Sequence, residues 1–282
     1  DKNYYTTLKR SNLIKFLLKN IPEERIKFNI EVKDIEYLAK IKINLSNDQN
    51  EEFDYLVVAD GVFSKTKSII LSEEKNIEFN NSIALRGNIQ NFENSDISLY
   101  LGSNFHFVIY PINQNNEFNF ISIVRKKLIE SEITNRSLFK DKIFINNLMS
   151  QISSKSDLNL SELVNEIKCF PIFVSKKIKI PSNKNIFLMG DAFFSFPPSF
   201  AQGASQSIES ANDLFNDLNN NLSNYYKKRV LKTKQINYRS SINHHAFHIA
   251  NPINVFFRNI FLKYLTKNKS FLENYLGKIY KN

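Results

Sequence analysis

Residues 185–218, reading NIFLMGDAFFSFPPSFAQGASQSIESANDLFNDL, constrain the chain most. Residues 186–189 form an apolar run short enough for a buried strand. Gly190-Asp191 ends it, a loop with Pro197-Pro198 follows, and a helical pattern begins after Gln202-Gly203. Ala204, Ile208, Ala211, Phe215 and Leu218 fall on one apolar stripe, the face such a helix is predicted to bury. The order strand, Gly-Asp, Pro loop, Gly, helix presents a helix N-terminus and one carboxylate to a polar ligand. The free N–H groups and dipole of the first turn favour an anionic or polarised ligand. Gly203 lets it approach the backbone, and Asp191 can accept hydrogen bonds from sugar-like hydroxyls. On spacing alone, the stretch is equally a plain strand–loop–helix connection whose Asp caps a turn.

The remaining chain supplies two kinds of pattern. Residues 26–58 read as strands: Ile41, Ile43 and Leu45 alternate, Ser46-Asn47-Asp48 marks a turn, and 53–58 forms one strand running into Asp60-Gly61. Residues 82–89, 98–101, 105–110 and 118–124 read as an antiparallel sheet, with a hairpin turn at 114–116. Alternation places His106, Val108 and Tyr110 on one strand face. Before these, 4–7 is strand-like. Leu13, Phe16 and Leu17 then make a short helical stripe stopped by Pro22, with Arg10 at the junction. Residues 133–166 read as a polar helix with Phe139, Ile143, Leu148 and Ile152 as its apolar positions, and 170–174 returns to strand.

Charge separates the C-terminal segment from everything before it. From Tyr225 onward there are twelve Lys/Arg and one acidic residue, Glu273, so this segment carries essentially all of the chain's net +10. After the Asn251-Pro252 break, aromatic and aliphatic residues from Val255 to Leu265 form a broad face with Arg258, Lys263, Lys267 and Lys269 around it. That pattern suits contact with a membrane surface, and equally a helix packed on its own protein or on a second subunit. No nucleic-acid motif accompanies the charge. The single cysteine, Cys169, excludes an internal disulfide and points to a reducing, cytoplasmic setting. There is no signal-peptide pattern and no apolar run of membrane-spanning length. The chain starts at Asp1 in strand-like sequence and is read as part of a longer one. His244, His245 and His248 lack a carboxylate at ligand spacing, so no metal site is expected.

Gly190, Asp191, Ala192, Pro198, Gln202, Gly203, Glu209 and Ala211 resemble, in register, the second flavin motif of the single-component FAD-dependent aromatic hydroxylases, the p-hydroxybenzoate/salicylate hydroxylase-like monooxygenases. Asp60, Gly61 and Ser64 resemble the same family's D-G-x-x-S-x-x-R motif. Arg10-Ser11-Asn12-Leu13 resembles its R-x-x-L junction, and the His106–Pro111 stretch its substrate-domain strand. Phe194 stands where the family has His, Ser210 where it has Asp, and Lys67 where it has Arg; Lys67 keeps the charge but loses the bidentate fork. The six glycines contain no G-x-G-x-x-G, the family's ADP-binding fingerprint.

The resemblance implies a fold and a set of roles. The fold class is α/β (α+β): an incomplete FAD/NAD(P)-binding Rossmann-like domain with an inserted antiparallel-sheet substrate domain and C-terminal helices. Residues 1–75 and 176–224 would belong to the FAD domain, 76–175 to the substrate domain, and 225–282 to basic C-terminal helices. Arg10, Asp60, Gly61, Asp191, Pro198, Gln202, Gly203 and Ala204 would bind FAD, with NAD(P)H as co-substrate. His106, Tyr110 and Phe194 would face a small aromatic or quinone-like substrate to be hydroxylated with O2. Two alternatives stay open: an inactive flavin-fold scaffold, and a flavin-dependent reductase or halogenase on the same fold.

Overall fold

The computed structural model describes residues 7–37, 39–73, 76–90, 92–93, 96–112, 116–218, 222, 224–277 and 279. In chain order the elements are α1 (Arg10–Leu18), β1 (Val32–Tyr37), β2 (Ile41–Leu45), β3 (Asn50–Phe53), β4 (Leu56–Val58), α2 (Lys65–Leu71) and β5 (Ile77–Gln90). Next come β6 (Ser98–Gly102), β7 (Phe105–Pro111), β8 (Glu117–Arg125), α3 (Glu130–Thr134), α4 (Lys142–Ser153), α5 (Leu160–Leu163) and β9 (Val164–Ser175). The chain finishes with β10 (Ile186–Leu188), α6 (Gly190–Phe193), α7 (Gly203–Leu218), α8 (Tyr225–Phe247), α9 (Pro252–Leu265) and α10 (Lys269–Leu272). Most of the strand expected at 4–7 and of the turn at 114–116 lies outside the described residues. The chain divides into two compact units, Asp1–Lys27, Asn81–Ile172 and His245–Asn259 in one, and Phe28–Asn80, Phe173–His244 and Ile260–Asn282 in the other.

The first unit is built on an antiparallel sheet in the order β6-β7-β8-β5-β9. Its register pairs His106 with Ile123 across β7 and β8, and Ile123 with Ala84 across β8 and β5. The alternate positions Ile83, Leu85, Ile89, Phe105, Phe107, Ile109, Phe118 and Phe120 are buried, the period-2 outcome the alternation predicts. The single polar helix expected over 133–166 is instead α3, a 3-10 turn at Leu138–Lys140, α4 and α5, and β9 already starts at Val164. Asp141 ends one segment and caps the next, its side chain accepting from Phe144 N. Ile143 is 73% exposed, whereas Ile145, Leu148, Met149 and Ile152 carry the buried face of α4. Burial raises the Cys169 thiol to about 12, which disfavours the thiolate form.

The second unit holds a three-stranded sheet, β1-β2-β3, and a parallel pair, β10-β4. The strand expected over 53–58 is two strands in two sheets: β3 ends at Phe53, and the chain leaves through Asp54 and Tyr55 to start β4 at Leu56. Asp is a poor strand former, and both connecting residues are exposed. Ile35, Ile41 and Ile43 form one core with Val58, Ile186, Leu188, Ala192, Phe193 and Phe194.

α7 reverses its expected orientation. Ala204, Ile208, Ala211, Phe215 and Leu218 are all exposed, and the buried residues are Gln206, Ser210, Leu214 and Asp217. Polar contacts to α8 decide which face turns inward. The Asp217 carboxylate accepts from the backbone N–H groups of Asn224 (3.0 Å) and Tyr225 (2.7 Å), capping α8. Arg229 donates to Asp213 (3.0 Å), Glu209 (3.3 Å) and Gln206 (2.7 Å). These groups cannot be left unpaired inside the unit, so they outweigh the apolar stripe.

The edge of β10 away from β4 is closed by side chains. Toward β4, Leu56 N–H donates to Asn185 O and Met189 N–H to Val58 O. On the far edge, Leu188 N–H donates to the Tyr226 hydroxyl (2.8 Å), which donates to Ile186 O (3.0 Å). The Tyr225 hydroxyl donates to Leu188 O (2.9 Å). Two phenols thus satisfy backbone groups that an exposed strand edge would leave open. Tyr226→Phe is expected to cost about 1–2 kcal/mol, because it strands a donor and an acceptor at once, and to speed hydrogen exchange at the Leu188 amide.

The same tyrosines fix an alkaline limit to stability. Burial raises the Tyr225 phenol from an ordinary value near 10 to about 12, and burial raises Tyr226 as well. Above pH 10 the unfolded chain loses these protons first, so their contribution, complete below pH 10, is lost as pH rises toward 12. A Tyr225→Phe, Tyr226→Phe double variant is expected to show a flatter alkaline limb in pH-dependent urea unfolding.

Candidate functional site

In the second unit, β4 and β10 run parallel with Val58 opposite Leu188. The Asp60-Gly61 and Gly190-Asp191 turns therefore leave the same end of the pair at the same level, the carboxyl end where open parallel sheets take ligands. Gly190 has φ +55°, and a Cβ there would lie 2.7 Å from Ser207 Oγ of α7. The Gly-Asp turn and the start of α7 are thus in contact at a place only glycine fits. Gly190→Ala is expected to destabilise the protein by about 1–3 kcal/mol, read as a lower midpoint in thermal unfolding.

The chain reaches α7 through a 3-10 turn at Pro198–Phe200 and a left-handed Ala201 (φ 51°). Gln202 is buried, and its carbonyl accepts from Gln206 N–H at 2.8 Å. Gly203 and Ala204 are exposed, and beyond its chain neighbours and its own helix backbone no atom lies within 4 Å of where a Gly203 Cβ would be. The first turn of α7 is open to an approaching ligand. The loop before it is braced from α8: Ser199 Oγ and His244 Nδ1 are 3.0 Å apart, and Asn243 donates to Ser199 O at 3.3 Å. The Tyr275 hydroxyl in turn donates to Asn243 Oδ1 at 2.8 Å. Nothing in the local sequence pattern signals this brace, which joins residues more than forty positions apart.

Asp60 Oδ2 accepts from Thr66 N–H at 3.4 Å, and Ser64 Oγ from Lys67 N–H at 2.9 Å, so both residues serve the N-terminus of α2. The Lys67 ammonium is buried and donates to Phe193 O at 3.2 Å, inside the Gly-Asp turn. Burial lowers its pKa, against the opposing pull of Asp60. Lys67 therefore ties the two strand-end turns together rather than standing at the surface. Asp191 and Pro198 are exposed. Phe194, in contrast, lies in the core at 5% exposure, with its ring 5.2 Å from that of Phe196.

The other sequence-selected residues belong to the first unit. Arg10 is the exposed first residue of α1. His106 is buried, its Nδ1 lying 2.9 Å from His248 Nε2 and its ring edge-on to Phe247. At that distance one ring donates and the other accepts. Tyr110 is half-buried on the same face of β7, opposite Asn119. His244 and His248, which share a helical spacing in the sequence, are thus engaged with Ser199 and His106 respectively. Among the described residues no three His, Cys, Asp or Glu side chains converge as a metal would need.

No family model matches the sequence, and no curated protein matches it. Solved structures do. HpxO from Klebsiella pneumoniae, complexed with FAD and uric acid, aligns with TM-score 0.79 over 96% of this chain and 71% of its own, at 15% identity. A salicylate hydroxylase substrate complex aligns with TM-score 0.72 over 86% and 67%, at 16% identity. The 2,6-dihydroxypyridine-3-hydroxylase from Arthrobacter nicotinovorans aligns with TM-score 0.66 over 77% and 64%, at 14% identity. The chain has the fold of FAD-binding hydroxylases. It spans roughly two thirds of the length of these proteins, and at such identity the likeness speaks for fold alone.

Proposed function

We propose that this chain is the flavin- and substrate-bearing part of an FAD-dependent monooxygenase, which uses NAD(P)H and O2 to hydroxylate an aromatic or quinone-like small molecule. The observation that carries the reading is the juxtaposition, in one unit, of the Gly190-Asp191 turn with the open first turn of α7. Likeness of fold to structures solved with FAD supports it. FAD, when bound, supplies hydride acceptance from the nicotinamide and the activation of O2.

The residues present fit the ribityl and isoalloxazine end of that cofactor. Asp191 would accept hydrogen bonds from ribityl hydroxyls. The N–H groups at Gly203 and Ala204, with the helix dipole behind them, would stabilise negative charge on the pyrimidine side. Gln202 holds that turn in place through Gln206. Lys67 fixes the Gly-Asp turn through Phe193 O. Asp60 and Gly61 would lie on the diphosphate side, and Arg10 would reach phosphate. His106 and Tyr110 share the sheet face assigned to substrate, with His106 oriented by His248.

A second reading, a flavin-fold scaffold without cofactor, is favoured by one specific observation. The outer edge of β10 is closed by Tyr225 and Tyr226. The test is NAD(P)H oxidation by the protein expressed from its whole coding sequence, with a panel of phenols and quinone precursors. Oxidation stimulated by one compound, with that compound recovered carrying one added oxygen, supports the monooxygenase. Oxidation without oxygen insertion supports a reductase, and none at all, with no bound flavin, supports the scaffold.

A further inference from the structure

We propose that α9 docks this protein on an anionic lipid surface. Ile253, Phe256, Phe257, Ile260, Phe261 and Tyr264 recur at the spacing of a single helix face, and all are between 50% and 67% exposed. The face that is turned inward holds only Val255, Arg258, Leu262 and Leu265, and its arginine is buried. The helix therefore exposes its more apolar side, the reverse of a helix packed on its own protein. The four aromatics alone present roughly 400 Å² of apolar surface, a patch of the size that marks an interaction site.

Charge selects the occupant. Lys263 flanks the stripe, exposed Lys267 and Lys269 follow it, and no acidic residue occurs from Asn251 to Leu272. A second copy of the helix would bring like charges together with nothing to neutralise them. Anionic headgroups supply that neutralisation, while the aromatics seat at the headgroup level. No helix among the described residues is long and apolar enough to cross a membrane, so the contact is a surface one. Each lysine within reach of such a surface strengthens binding roughly five-fold.

The experiment is co-sedimentation of the full-length protein with vesicles of phosphatidylcholine, with and without phosphatidylserine. Binding is expected only to the phosphatidylserine vesicles, weakening as salt is raised. Phe256→Ser with Phe261→Ser is expected to abolish it with an unchanged unfolding midpoint, since both side chains are exposed; Lys263→Glu with Lys267→Glu is expected to cut it at least ten-fold. Three outcomes overturn the proposal: no binding to either vesicle, equal binding by wild type and the Phe variant, or a wild-type dimer that the Phe variant converts to monomer.

Discussion

Arg229→Ala is expected to lower the stability of the protein by about 3–5 kcal/mol, the largest effect of any single side chain considered. The Arg229 side chain is 3% exposed and holds two carboxylates, Glu209 at 24% and Asp213 at 14% exposure, together with the buried amide of Gln206. Removing the guanidinium leaves two acidic groups of α7 facing a vacated, largely dry space. Lys232, 3.0 Å from Glu209, can compensate only one of them. The contrast is an exposed pair such as Lys65–Glu31, 75% and 62% exposed, where the same deletion is expected to cost less than about 1 kcal/mol. For a domain of this size the Arg229 variant should melt roughly 10 °C lower. A midpoint within a degree or two of wild type would mean that the α7–α8 clamp does not hold the unit.

Asp191→Ala is expected to weaken FAD binding by roughly 10- to 100-fold while leaving the unfolding midpoint nearly unchanged. The two parts of this expectation rest on one feature. Asp191 sits exposed at the first turn after β10, where substitution of a surface side chain costs little stability and its carboxylate can serve a hydroxylated ligand. Hydrogen bonds to a charged acceptor carry about 1.5–3 kcal/mol each, which sets the size of the loss. Asp191→Asn keeps the shape and one acceptor oxygen and is expected to fall between wild type and alanine. Isothermal titration with FAD and thermal unfolding, run on the same preparations, separate a binding defect from a folding one.

Much of the architecture is legible in the sequence, and the misreadings share a cause. The strands of the first unit are readable because the face carrying Phe105, Phe107 and Ile109 is buried along its length, although at His106 and its cross-strand neighbours Ile123 and Ala84 the other face is buried too. The Gly190-Asp191 turn is readable because its glycine is required locally, by a positive φ and by close approach to Ser207, whereas the Gly203 helix start shows only in the helical spacing that follows it. α7 was misread because apolar spacing cannot tell which face a helix will cover when its partner offers charge. Arg229 and the Asp217 cap turn the polar side of α7 inward and leave Phe215 at 67% exposure. The break after Phe53 falls at Asp54, a single charged residue in an otherwise apolar run, too small a local signal to show that Phe53 and Leu56 belong to different sheets. The tyrosine closure of β10, the Ser199–His244 brace and the His106–His248 pair each join positions distant in sequence, where no period or spacing carries a signal.

The most direct test is the absorption spectrum of the protein expressed from its whole coding sequence, purified and then incubated with FAD. The account predicts near-stoichiometric flavin bands that survive gel filtration, and a reduced flavin content in Asp191→Ala at an unchanged melting temperature. A folded wild-type protein that retains no flavin, even after incubation, would contradict it and leave the strand-end turns and the open start of α7 as parts of a scaffold.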